Sequence, residues 1–139
     1  MSMHSIIYAS QSLIPPAYAI AEIDELVAKA RVKNASLGIT GALVYSERRF
    51  AQALEGDRSN LAPLMDLIRS DPRHEKIVIL EDAQLGGRRF EGWSLAYSGA
   101  STYVDQIIAR ASYEAGRASD RGLLDLKLLM REFAALALH

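Results

Sequence analysis

The chain has 139 residues, half of them apolar and 24% charged, which suits one domain whose core needs no covalent staples. With 16 basic and 17 acidic residues its net charge is −1, so neither nucleic acid nor an anionic membrane surface is indicated as a partner. It contains no cysteine, which excludes disulfides, thiolate metal sites and cysteine nucleophiles and fits a reducing, cytoplasmic setting.

The opening "MSMHSIIYAS" lacks the basic and long apolar regions of a signal peptide. No run approaches the ~18 apolar residues of a membrane span. His4, His74 and His139 are too scattered to suggest a metal site.

In chain order, residues 4–10 read as a short buried strand, followed by a loop marked by Pro15 and Pro16. Ile20, Ile23, Val27 and Ala30 fall at helical spacing and predict an amphipathic helix over 17–34. Two β-rich runs, 39–46 and 49–56, are joined by Glu47-Arg48, which is hairpin length. Asp57 or Ser59 can cap a second helix running to about Ser70, with Pro63 near its first turn and Leu61, Leu64, Met65 and Ile68 inward. Residues 76–83 form a buried strand, "LGGRR" a turn, and 90–98 another strand.

The order is β-α-β-β-α-β-β, a ferredoxin-like α+β plan with two helices on one face of a sheet. Two further helices are expected: one marked by Tyr103, Ile107 and Ile108, the next running from Leu123 to Leu138, with Gly116 and Gly122 bracketing the link. They are the obvious cover for the sheet's other face.

One stretch does not fit a plain core. In "RFAQALEG" alternation puts Phe50, Gln52 and Leu54 on one face and Ala51 and Ala53 on the other. A buried amide without partners costs about 1–3 kcal/mol, so an amide between Phe and Leu needs a reason. Asn34 continues the inward stripe of the first helix and Asp71 ends that of the second, while Tyr8 shares a strand face with Ile6. Taken singly, Asn34 can be a helix end, Asp71 a turn residue before Pro72, and Tyr8 a core aromatic. Together they form a set of donors and acceptors suited to a planar ligand with a carbonyl, N–H, carbonyl edge, such as a flavin.

The segments "IIYAS", "NASLGITGALVYSERRFAQALEG", "DPRH" and "RRFEGWSLAYS" resemble, in order over roughly residues 4–98, the motifs of the BLUF family of blue-light sensors. The resemblance implies bound FAD and a role for each matching position. Tyr8 stands where the family has its photoactive tyrosine. Gln52 matches the glutamine between that tyrosine and the flavin. Asn34, Asp71, Arg73 and His74 match residues along the flavin's imide edge, and Arg31 matches a basic position near the pocket mouth. Trp93 matches the strand-five tryptophan, in or out of the pocket. Leu95 stands where members usually carry methionine and Lys33 where many carry asparagine, while the "LIPP" loop is slightly longer than usual.

On this resemblance residues 1–98 form the flavin-binding domain and 99–139 a helical extension within the same compact unit. The 41 residues after Ser98 are too few for a catalytic effector. The chain is therefore expected to be a non-enzymatic photoreceptor, signalling through its C-terminal helices to a separate protein or to other copies of itself. The runner-up, motivated by Leu95 and Lys33, is an interaction scaffold of the same fold that has lost its light response. Leu123, Leu124, Leu126, Leu128, Leu129, Met130, Phe133, Leu136 and Leu138 exceed what one helix face can bury. Either they only cover the sheet, or a second face serves association.

Overall fold

The computed structural model describes residues 3–137; the expectations placed on Leu138 and His139 lie outside them. A five-stranded sheet has the order β4-β1-β3-β2-β5, with β1 at Met3–Ser12, β2 at Thr40–Tyr45, β3 at Arg49–Asp57, β4 at His74–Leu85 and β5 at Trp93–Ser98. β3 lies antiparallel to both β1 and β2, β4 antiparallel to β1, and β5 parallel to β2. The ferredoxin-like α+β plan holds, with β5 added beside β2.

Alternation along β3 divides the molecule into two layers. Phe50 and Leu54 join Tyr8, Leu43, Tyr45 and Trp93 under helices α1 (Ala19–Ser36) and α2 (Arg58–Arg69). Ala51 and Ala53 join Ile7, Ala9, Ala42 and Val44 under α3 (Thr102–Glu114) and α4 (Arg121–Ala137). The second face is rich in alanine and valine, so those helices rest close to the sheet. Ile108, Leu126 and Met130 there are fully buried.

Local chemistry sets the boundaries. The Asp57 carboxylate caps α2 by accepting from the Ser59 amide at 2.9 Å, and Ser101 caps α3 by accepting from Val104 at 3.2 Å. Several expectations shift. Pro63 sits in the second turn of α2, and Ser46, Glu47 and Arg48 link the hairpin, with Glu47 at φ 71°. β4 is longer than the predicted 76–83, and β5 begins at Trp93 rather than Phe90. Ile20 and Tyr103 face solvent at 82% and 70% exposure; Ile23 and Val27 anchor α1, and Val104 and Ile108 anchor α3. Gly122 is not part of the link but a buried residue of α4. A Cβ there would lie 2.8 Å from the Ala111 amide nitrogen, so glycine permits the close approach of α3 and α4.

Candidate functional site

Strand register brings the first two site residues together. Tyr8 lies directly opposite Gln52, and Leu43 opposite Gln52 on the other side. Facing residues on paired strands have Cβ atoms about 5 Å apart, within reach of an amide and a phenol. The Gln52 Nε2 donates to the Tyr8 hydroxyl at 2.6 Å. On its other side Gln52 Oε1 accepts from the Trp93 indole Nε1 at 3.0 Å. An indole N–H can only donate, so the amide oxygen must face it. The carboxamide orientation thus follows from chemistry.

Trp93 and Gln52 are on strands that do not touch, with β2 between them. The cross-strand row through Trp93 reads Ile6, Leu54, Gly41, Trp93. Gly41 leaves no side chain on β2 in that row, so the indole can reach across toward Gln52. Its backbone, at φ 154°, also lies so close to β3 that a Cβ would fall 1.9 Å from the Ala53 carbonyl oxygen. Only glycine fits there.

Above this floor lies a cavity of about 210 Å³ between α1, α2 and the sheet. Tyr8, Asn34, Leu43, Phe50, Gln52, Leu64, Asp71, Arg73 and His74 line it, with Lys29 and Lys33 at its exposed side. Asn34 is only 3% exposed as a residue, and its carboxamide borders the cavity, where it can donate to or accept from a bound group.

His74 closes one wall. Its Nε2 donates to the Ile68 carbonyl at 2.6 Å, its Nδ1 meets the Ser10 hydroxyl at 2.7 Å, and its ring sits edge-on to Tyr8 and Phe50. Asp71 accepts from the Arg73 amide at 3.0 Å and from its guanidinium at 2.6–3.1 Å. Burial pushes the Asp71 carboxyl up, but the hydrogen bonds and charge of Arg73 outweigh it and leave its pKa below the ordinary carboxylate value. Burial lifts the Tyr8 phenol well above the ordinary tyrosine range; the Gln52 hydrogen bond offsets part of the rise and the Asp71 charge adds to it.

Three predicted residues do not line the cavity: Arg31, Leu95 and Trp93, the last of which reaches the site only through Gln52. Arg31 does not line this cavity; it borders a separate hollow with Gly38, Arg88 and Trp93. The cavity instead receives Lys29 and Lys33, which with Leu26, Ala30 and Asn34 repeat at helical spacing. That spacing was the available signal for them. Leu95 lies opposite Leu43 on the same side of the sheet, partly buried, without lining the cavity.

The family model for BLUF, sensors of blue light using FAD, matches residues 3–96. The chain belongs to the BLUF family. Its cofactor is accordingly FAD, and the residues present fit that group: amides of Asn34 and Gln52, the Asp71 carboxylate and a flat apolar wall of Leu43, Phe50 and Leu64. The cavity, at about 210 Å³, is smaller than the ~300–1,000 Å³ that encloses a whole drug-sized ligand.

BLUF relatives include the photoactivated adenylate cyclase subunit beta of Euglena gracilis, 30% identical over 94 residues, or 68% of this chain and 11% of that one. The chain spans about a tenth of the length of such curated relatives. Among solved structures, the dark state of the BLUF protein BlrB superposes with a TM-score of 0.77 at 27% identity, covering 94% of this chain and 96% of that one. The BLUF domain of BlrP1 gives 0.67 at 32% identity, covering 94% and 90%. Among the described residues no helix is long and apolar enough to cross a membrane, and no His/Asp/Glu cluster is placed to hold a metal.

Proposed function

We propose that this blue-light flavin sensor works through a hydrogen-bond switch made of Tyr8, Gln52 and Trp93, and that the switched state is passed through α3 and α4 to another protein or to further copies of the chain. The observation that carries this reading is the chain of bonds Trp93 Nε1–H to Gln52 Oε1 and Gln52 Nε2–H to Tyr8 Oη, which ends on two residues that line the cavity. FAD, when bound, supplies absorption of blue light and an excited state able to take an electron. Tyr8 retains its proton at any ordinary pH because its burial opposes the phenolate; as a neutral phenol it would supply both an electron and its proton to the excited flavin. Gln52 has a donor at one end and an acceptor at the other, so a half-turn of its amide exchanges them without moving the backbone. The turned amide would present N–H to the Trp93 N–H, which cannot accept. Trp93 therefore favours the present orientation, by about 1 kcal/mol for one lost hydrogen bond.

Asn34 and Asp71 would hold the imide side of a bound flavin, Asp71 as the acceptor, with Arg73 keeping its carboxylate ionised. Arg31 and His74 act around the site rather than in the switch: His74 as a wall, Arg31 at the neighbouring hollow. Leu95 carries the change along β5 by packing, in place of a thioether contact. The protein is proposed to be non-enzymatic and cytoplasmic, the latter on its cysteine-free composition. Support for output through α4 comes from Leu124, Leu128 and Leu136, which stay more than half exposed while Leu126 and Met130 are buried.

The test is an absorption spectrum in darkness and under blue light. The flavin bands are expected to move red and return in the dark, and Gln52→Leu to keep the flavin but lose the shift. Normal photocycling in that variant would falsify the role given to Gln52. Flavin that binds without shifting in the unaltered protein would favour the scaffold reading instead.

A further inference from the structure

We infer that Glu55 is a positioning residue for the switch: its buried carboxylate fixes the segment leading into β5 and thereby holds the Trp93 indole against Gln52. This deepens the reading of Gln52 and Trp93 given above and rests on it.

Glu55 follows Gln52 by three residues on β3 and points to the opposite face of the sheet. It is 2% exposed, a rare setting for a carboxylate unless its oxygens are fully engaged. The partners are all local donors. Oε1 accepts from the Thr40 hydroxyl at 2.8 Å, from the Phe90 amide at 2.8 Å and from the Arg89 amide at 3.0 Å, and Oε2 also accepts from the Arg89 amide at 3.0 Å. Arg89 and Phe90 stand four and three residues before Trp93, in a segment with no strand partner of its own. Two further ties serve the same segment: the Gly41 amide donates to the Gly92 carbonyl at 3.0 Å, and the Arg88 guanidinium donates to the Gly38 carbonyl at 2.8 Å and the Thr40 hydroxyl at 2.8 Å.

Chain order makes the consequence mechanical. Gln52 and Glu55 are on one rigid central strand, flanked on both sides by strands. Gln52 grips the Trp93 side chain from one face, and Glu55 grips the backbone just upstream of it from the other. The indole can meet Gln52 only by spanning β2, a reach that tolerates little error in where β5 begins. An amide at position 55 is a weaker clamp: with its oxygen in the place of Oε1, its NH₂ faces the Arg89 N–H, which also donates, and the remaining bonds lose the strength that the carboxylate charge gives them. Other features do not give Glu55 this role by accident of packing: the charges of Arg89 are taken up by Glu81 at 2.6 and 3.1 Å, so Glu55 binds Arg89 through its backbone alone.

Trp93 is the only tryptophan in the chain, so a ¹⁵N-labelled full-length protein shows one indole N–H signal. In the flavin-bound protein that signal is expected to be hydrogen-bonded and slow to exchange. Glu55→Gln should move it toward the position of a free indole and speed its exchange roughly tenfold or more, by local opening. An unchanged indole signal in folded Glu55→Gln, even with a lowered melting temperature, overturns the proposal, since a purely structural role predicts lost stability with the contact intact. If Glu55→Gln does not fold, Glu55→Asp serves: it keeps the charge but is too short to hold both amides, so a smaller displacement in the same direction is expected, and none overturns the proposal. Failure of the parent reading looks different, because Gln52→Leu would then leave the light response intact whatever the indole does.

Discussion

The two faces of the sheet are built from the same strands and hold opposite kinds of interior. Under α3 and α4, side chains of Ile7, Ala9, Ala42, Val44, Ala51 and Ala53 pack with Ile108, Leu126 and Met130 into one wholly apolar cluster. Under α1 and α2, the alternate residues of those strands leave a cavity of about 210 Å³ bordered by the polar side chains of Tyr8, Gln52 and Asn34. Cores normally exclude voids of this size. One layer therefore carries the stability of the fold, which frees the other to keep a site that is poorly packed until filled.

This contrast can be broken in graded steps. The largest effect on folding is expected from the closed face: Leu126→Ala should destabilise by about 2–5 kcal/mol, seen as an earlier denaturant midpoint, with unchanged flavin spectra in whatever remains folded. Acid probes the polar ties of that face. Burial alone would raise the Glu81 pKa, yet hydrogen bonds from Arg89, Lys127 and Ser5 bring it from 4.5 down to about 2. A folded pKa below the unfolded one contributes stability that is complete above pH 4.5 and is lost as pH falls toward 2. Thermal melts should therefore show Glu81→Gln less stable than the parent at neutral pH, with the difference shrinking below pH 4.5. On the open face Asn34→Ala should weaken flavin binding roughly tenfold, one charge-free hydrogen bond or so, while flavin-free stability stays level or rises. Equal loss of stability at positions 34 and 126 would erase the distinction between the layers. The smallest effect is expected at Leu128→Gln on the exposed side of α4, within about 0.5 kcal/mol by denaturant titration, with any change confined to association measured by sedimentation.

Alternation along β3 was legible because period two leaves no choice of face once one residue is placed, and the inward stripe of α2 was legible for the same kind of reason. Helix ends were less so. Ile20 and Tyr103 lie one residue from Ala19 and Val104, which take the inward positions of those first turns, and a step of one residue rotates a side chain about 100° away. Arg31 falls two residues from both Lys29 and Lys33, which rotates it off the cavity side of α1. Gly122 reads as a linker in one dimension, since only the neighbouring α3 explains why a helix would lack a side chain there. The reach of Trp93 across β2 was the least accessible, for it depends on Gly41, a residue distant in sequence from both partners.

The register of β5 breaks between Leu43/Leu95 and Val44/Tyr97, so Ala96 is an extra residue in the strand. A bulge of this kind reverses the sense of alternation. Trp93 and Leu95 look into the flavin layer, while Tyr97 belongs to the other and stacks on Phe133 of α4 with ring centres 5.7 Å apart. Six residues of edge strand thus serve both compartments: the indole near one end packs in the flavin layer and the Tyr97 ring near the other packs against α4, so one short strand joins the two interiors that the rest of the sheet keeps apart.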